Sequence, residues 1–411
     1  MSEHIPASPA TLRVVIAGGG FGGFFATREL CRLLKPAEAN VTLVSDTDAM
    51  LYQPLLPDVA VGALDPRRGA VPLRTTLRRA RIVRGRALSV DGGRGSVEVA
   101  IQTRTIDMPY DLLLLAPGAV TRMRDIPGLA EHAVGFKTAA EALYLRELVL
   151  SQLEIADSEP DPARRRARMT FVVVGAGYAG TELAAQMVRL TDNLLSGFPV
   201  LSPADVSWIL LDAADVVMPE LGSELGEAAL RLLRRRGVDV RLQTSISAVD
   251  SASVHLTDGT TIACNTVIWC AGVTANPLVT TLGLPLTRGR VAVTPTLDVA
   301  GHPDIFVIGD AAAVPDLTSG AGQRLCPPTA QHAMRQAKRQ HATSPREYTA
   351  SRSARTDTTT AGWSSTSAAR AQSPGHWVSR CAAGRPKWSR GATCTRCPAS
   401  CGASACSAPG R

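Results

Sequence analysis

The chain is poor in aromatic side chains, which make up 4% of its 411 residues, and it has no long hydrophobic run. Nothing approaches the roughly 20 uninterrupted apolar residues that a spanning helix needs. The longest candidates, around Val14 and Leu112, are interrupted by glycines and a proline, so a transmembrane helix is not expected. The opening MSEHIPASPATLR is polar and lacks the apolar centre of an export signal, so a reducing cytosol is the expected compartment. Cysteine pairs are missing as well. Up to residue 340 the chain has only Cys31, Cys264, Cys270 and Cys326, without CxxC or CxxxxC spacing. Free thiols are expected there, and thiol exchange is disfavoured.

The largest deficit lies at the end. Residues 341–411 contain no Leu, Ile, Met or Phe, and their one Val is Val378. They hold five of the nine cysteines, and ten Arg or Lys against Glu347 and Asp357 give them a net charge of +8. The whole chain is also +8, so residues 1–340 are neutral and give no reason to expect a nucleic-acid-binding body. The basic runs ARRRAR (residues 163–168) and RLLRRRG (residues 231–237) read as solvated faces, with contact to anionic lipid as the alternative.

What is present is a repeated glycine pattern. At 411 residues the chain is too long for one ordinary core and suits two or three domains. Residues 12–30, LRVVIAGGGFGGFFATREL, pass from a β-branched run through clustered glycines into a helical segment. Gly18, Gly20 and Gly23 form GxGxxG. The first permits the turn, the second lets a pyrophosphate approach the backbone, and the third allows the helix to pack closely. Another apolar run, residues 41–44, follows as a βαβ unit requires. A ribose-binding acid belongs at its end, where VTLVSDTD offers Ser45 and then Asp46. Asp46 is the candidate carboxylate, with the register open.

Residues 170–188, TFVVVGAGYAGTELAAQMV, repeat the arrangement with Gly175, Gly177 and Gly180. Two such fingerprints are much more specific than one. Here the following strand, WILLD, ends at Asp212. A carboxylate at that place accepts from ribose hydroxyls and repels a 2′-phosphate, which favours NAD(H) over NADP(H); a turn-forming Asp is the plainer alternative. The expected fold class is α/β, with two Rossmann-like dinucleotide-binding domains.

Two folds of this kind joined head to tail resemble flavoproteins that take hydride from a nicotinamide. DLLLLAPGAV (residues 111–120, with Gly118) is similar to the turn that returns the chain to the first domain. IFVIGDAAAV (residues 305–314, with Gly309 and Asp310) is similar to the second FAD fingerprint. Within that superfamily the chain resembles a type II NADH dehydrogenase, the single-subunit enzyme that passes electrons from NADH to quinone without pumping protons. The closer likeness rests on YQPLLPDVAVGALDP (52–66), IPGLAEHAVGFKT (126–138), IWCAGV (268–273, with Gly272) and PPTAQHAMRQAKR (327–339), and covers about residues 12–340.

The resemblance implies an FAD-binding domain from residues 12–125 plus 286–340 and an NADH-binding domain from residues 126–285. It places Asp310 near the flavin ribitol and pyrophosphate, although a plain strand-end turn would also have this sequence. Glu182, two residues after Gly180, is implied beside nicotinamide and flavin with a role in proton delivery to quinone; a carboxylate suited to a helix N-terminus is the simpler reading. Gln331 is matched to the quinone-site Gln, where a neutral amide can donate to a carbonyl, and Gln336 to the second Gln of that motif. The implied cofactors are FAD and NADH, and the implied partners are a quinone and the inner face of the cell membrane. A homodimer is compatible with this reading. A soluble NADH-dependent flavoprotein reductase with a protein or small-molecule acceptor is the alternative. No metal site is expected.

Full-length members of the family continue past the final matched helix with further strands and amphipathic helices that rest on the membrane. Residues 341–411 offer nothing of that kind, so the anchor is expected to be missing, and an inactive product that keeps only nucleotide binding is a further alternative. The tail composition points to disorder, because little apolar area opposes chain entropy. A shifted reading frame near residue 340 is the more specific expectation. One permitted back-translation of residues 362–371, read two bases later, spells LVVDLGGAR, and the same offset over residues 391–407 permits RDLYALPGVVRRVRVLG. A zinc module is disfavoured, since the tail cysteines form no paired CxxC knuckles.

Overall fold

The computed structural model describes residues 11–317 and 324–339. The disorder and frame-shift expectations for residues 341–411 lie outside them.

Short apolar strands build two mostly parallel sheets with the same internal order. In the first, Leu12–Ala17 lies between Leu112–Leu115 and Ala39–Ser45, with Arg81–Arg84 beyond the latter. His302–Val307 pairs parallel to Leu112–Leu115, and Asp298–Val299 closes that edge antiparallel. In the second sheet Thr170–Val174 lies between Thr266–Trp269 and Ser207–Leu211, with Val238–Arg241 and Ala133–Gly135 at the edges. Burial on both faces explains the continuous apolar runs LLLL and TFVVV, since a parallel sheet covered on both sides has no polar face.

Each sheet carries helices and a small antiparallel three-stranded sheet. In the first half that sheet is Arg86–Asp91, Ser96–Ile101 and Arg104–Pro109, whose Val97 and Val99 are fully buried in the first core. In the second half it is Ile246–Val249, Ser253–Leu256 and Thr261–Ala263. Period-two alternation divides the strand Thr170–Val174: Phe171 and Val173 enter one core, Val172 and Val174 the other.

Phe171 stacks on Trp208 with ring centroids 4.5 Å apart and planes at 17°, and Trp208 Nε1 donates to Thr191 Oγ1 at 3.2 Å. Phe171→Ala should therefore cost about 3–5 kcal/mol through cavity formation and lost stacking. Denaturant unfolding checks this; a loss below about 1 kcal/mol would mean that the core collapses around the gap.

The halves are joined by a two-stranded ribbon. Ala119–Thr121 pairs antiparallel with Val273–Ala275, each following the inner return strand of its own sheet. Asn276 N donates to Gly118 O at 2.9 Å, Arg122 N to Gly272 O at 3.2 Å, and Trp269 Nε1 to Arg122 O at 2.8 Å. The ribbon brings the small-residue turns after the two return strands into one region. Among the described residues, no helix is long and apolar enough to cross a membrane.

Candidate active site

Both glycine turns have the same geometry. Gly18 and Gly175 adopt φ of +113° and +112°, a region that side chains disfavour. Their backbones press against the return strands, so a Cβ on Gly18 would overlap Ala116 O and one on Gly175 would overlap Cys270 O and Ala271 N. Gly18 N donates to Val44 O at 2.8 Å, and Gly175 N to Leu211 O at 2.7 Å. A Cβ on Gly23 would enter Gly18 O, and one on Gly180 would enter Gly175 O. These contacts seat the helices Phe21–Leu33 and Tyr178–Leu194 directly on their strands.

Gly20 and Gly177 differ in kind. A Cβ at either would meet nothing within 4 Å. Each is the N-cap of its helix and makes no side-chain capping bond, so the first helical amides face open space and suit a phosphate. The same open space lies beside Gly118 and Gly272, both at positive φ. A dinucleotide pyrophosphate therefore fits at each turn: protein fills the positions of the first and third glycines and leaves the middle one clear.

The paired hydrogen bonds also set the register of the two strand ends where a ribose-binding acid is expected. Because Gly18 N reaches Val44 and Gly175 N reaches Leu211, Ser45 occupies the place in the first half that Asp212 occupies in the second. Asp212 accepts from Ala176 N at 2.5 Å and from Ala214 N at 2.7 Å. Ser45 is buried, with its Oγ beneath Gly19 and accepting from Thr47 N at 3.3 Å. Asp46 lies one residue past the strand and is exposed.

Within the segment 305–314 the strand His302–Val307 gives way to a tight turn, Gly309–Ala311, with Gly309 at φ +71°. Asp310 is largely withdrawn from solvent. Burial pushes its carboxyl upward, against the opposing pull of Lys137 and Arg290. Burial likewise pushes the Lys137 ammonium down, while Asp310 and Glu141 counter it. Arg290 donates to Ala312 O at 3.2 Å and Cys326 O at 3.0 Å. Neither Lys137 nor Arg290 is singled out by sequence reasoning. Lys137 stands in the quoted GFKT segment, but only the fold turns it toward a carboxylate 173 positions later. Its backbone is held at both ends: Lys137 N donates to Glu141 Oε2 at 2.9 Å, and Lys137 O accepts from Gln53 Nε2 at 3.2 Å.

Glu182 follows the second turn in the helix Tyr178–Leu194. Desolvation, aided by the charge of Asp58, pushes its carboxyl up to about 7. Asp58 comes from the helix Leu56–Ala60 of the first half and accepts from Gln186 Nε2 at 3.1 Å, one turn beyond Glu182. Sequence reasoning missed this pair too, since no local pattern links residues so far apart.

In the helix Ala330–Arg339, Gln331 is exposed while Gln336 is buried and accepts from Gly309 N at 2.7 Å. Thr329 Oγ1 accepts from His332 N at 3.3 Å and pairs with His332 Nδ1 at 2.7 Å, so His332 takes part in capping. Burial and nearby Arg335 lower its pKa. The four described cysteines are free, and burial drives Cys264 and Cys270 up to about 12. Thiolate chemistry is thereby opposed. No metal-binding cluster occurs among the described residues.

The paired turns, the shared ribbon and the GD turn define an oxidoreductase fold with seats for two dinucleotides. The model of the pyridine nucleotide-disulphide oxidoreductase family matches residues 12–337. Type II NADH:quinone oxidoreductase NdhA of Mycobacterium tuberculosis is 40% identical over 317 residues, covering 74% of this chain and 67% of its own length. A second M. tuberculosis type II NADH:quinone oxidoreductase, Ndh, is 37% identical over 339 residues, covering 78% of this chain and 72% of its own length. The chain belongs to the pyridine nucleotide-disulphide oxidoreductase family and, within it, to the type II NADH:quinone oxidoreductases. Among solved structures, NDH2 from Plasmodium falciparum in complex with NADH superposes with a TM-score of 0.75 at 18% identity, covering 81% of this chain and 83% of that one. At that identity it attests the fold.

Proposed function

We propose that this chain oxidises NADH and delivers two electrons to a quinone through FAD, without pumping protons. The observation that carries the reading is the duplicated glycine turn, sealed at its first and third positions and open at its second, in a chain 40% identical to a type II NADH:quinone oxidoreductase. FAD would supply hydride acceptance and electron release; the protein supplies binding, orientation and charge.

In this reading FAD is held by residues 12–125 and 286–340. Gly18, Gly20 and Gly23 form its pyrophosphate turn, Ser45 and Asp46 its ribose edge, Gly118 a clear approach, and Gly309 and Asp310 the second contact. NADH is held by residues 126–285, through Gly175, Gly177, Gly180, Asp212 and Gly272. Glu182 holds a proton at its carboxyl for the quinone, and Gln331 donates an amide N–H to a quinone carbonyl. The compartment is the cytoplasm, with the inner face of the cell membrane as the acting surface where the family's C-terminal anchor is intact.

Purified protein should be yellow, bleach with NADH, and oxidise NADH when a short-chain quinone is added. A colourless preparation that releases no FAD on denaturation would refute the reading. Bleaching by NADH with no response to quinone would favour the soluble reductase alternative. Asp212→Ala should reduce the preference for NADH over NADPH by about ten-fold or more, because a negative charge facing the 2′-position is removed. The ratio of kcat/KM values for the two nucleotides checks this, and an unchanged ratio would remove Asp212 from the ribose edge.

A further inference from the structure

Gln331 and Gln336 are five positions apart on one helix, yet they stand in opposite environments. Gln331 is exposed, whereas Gln336 retains 9% of its accessible surface. Gln336 Oε1 takes the Gly309 N–H at 2.7 Å across 27 residues of sequence. Gly309 lies in a tight turn, where its amide has no sheet partner. An amide in such a place requires an acceptor, and a side chain from the facing helix provides it. Ala333, one turn earlier on the same helix, would stand 3.4 Å from a Cβ on Gly309, so the helix back is pressed against the turn. The next residue, Asp310, has a largely desolvated carboxylate that feels the charges of Lys137 and Arg290.

We propose that Gln336 is a positioning residue: by fixing the Gly309 amide it sets the direction of Asp310 and binds the Gln331-bearing helix to the flavin-holding turn as one unit. This inference rests on the FAD reading given above. The two glutamines divide the labour. Gln331 remains available to a diffusing acceptor, while Gln336 is committed to the protein. A thioether of similar length, in Gln336→Met, would fill the same space without a strong acceptor and leave the Gly309 amide unsatisfied.

The test uses the full-length protein, stripped of FAD and reconstituted. Gln336→Met is expected to weaken FAD binding about ten-fold, the usual order for depriving a buried amide of its partner. It should also change the visible circular dichroism of bound flavin and leave the KM for NADH unaltered, because NADH sits on the other half. Equal FAD affinity and an identical flavin spectrum, with the apoprotein and holoprotein melting temperatures lowered alike, would reduce Gln336 to core packing and overturn the proposal. Wild-type protein that takes up no FAD would instead refute the functional reading. Should Gln336→Met fail to fold, hydrogen exchange on the wild type decides. The Gly309 amide should be protected like its strand neighbours Phe306 and Val307, and exchange at open-loop rates would overturn the assignment.

Discussion

Replacing Glu182 by Gln should lower quinone-dependent NADH oxidation by about two to three orders of magnitude, the range expected when a positioned proton donor is removed, while FAD and NADH still bind. The wild-type pH profile should carry the same signature. With the carboxyl pushed up to about 7 by burial and by Asp58, the protonated donor form is depleted as pH rises through 7, so the rate falls there. Glu182→Gln should show no such limb. Stability should fall with rising pH as well, over the window between the unfolded and folded values. The folded pKa lies above that of an unfolded glutamate, so the folded chain binds more protons between about pH 4.5 and 7 and loses stability as pH rises across that window. The accumulated cost is on the order of 3 kcal/mol, and Glu182→Gln should be the more heat-stable protein at pH 8 but not at pH 4.5. Steady-state kinetics and melting curves at both pH values check these statements. Wild-type turnover by the variant, or an unaltered pH limb, would remove Glu182 from proton delivery.

Gly20→Ala and Gly23→Ala should separate ligand space from packing space within one turn of helix. A methyl group on Gly20 meets no protein atom, and the residue already has a negative φ of −73°. Apoprotein stability should change by about 1 kcal/mol or less, the ordinary cost of an altered N-cap. FAD affinity should fall by about 100-fold or more, because the methyl occupies the approach reserved for the pyrophosphate. Gly23→Ala drives a methyl into Gly18 O and should destabilise the apoprotein itself by about 3 kcal/mol or more. Denaturant unfolding of apoprotein and fluorescence titration with FAD measure the two effects. If Gly20→Ala bound FAD like wild type, the first turn would not be the pyrophosphate seat.

The glycine turns were legible in the sequence because their requirements are local: a strand, a positive φ, a close helix crossing and an open amide all fall within about a dozen residues. The position of Asp212 is local in the same way, as the polar residue directly after the apolar strand Ser207–Leu211. The ribose edge of the first half was not. Ser45 and Asp46 are adjacent, and which one lies under the turn depends on the ladder bond from Gly18 N to Val44 O, a pairing between two strands. The charge cluster at the GD turn was equally hidden. Asp310 stands in a recognisable GD turn, but Lys137 and Arg290 belong to two other segments and look like ordinary surface charges until burial brings them into range of it.

The two halves of the motif AQHAMRQ illustrate the same division. Sequence resemblance treats Gln331 and Gln336 alike, since both lie on one amphipathic helix. Packing against the turn gives them different tasks: Gln331 stays exposed, and Gln336 accepts the Gly309 N–H.

By itself the sequence determined the α/β class, the two glycine turns, the lack of cysteine pairs and the balance of charge up to residue 340, because each follows from short-range pattern or composition. Tertiary structure alone decided the register of Ser45 and Asp46 beneath the first turn, the partners of Asp310, the raised carboxyl of Glu182 and the commitment of Gln336. Those depend on which surfaces lose water together, and desolvation is a property of the assembled fold rather than of neighbouring letters.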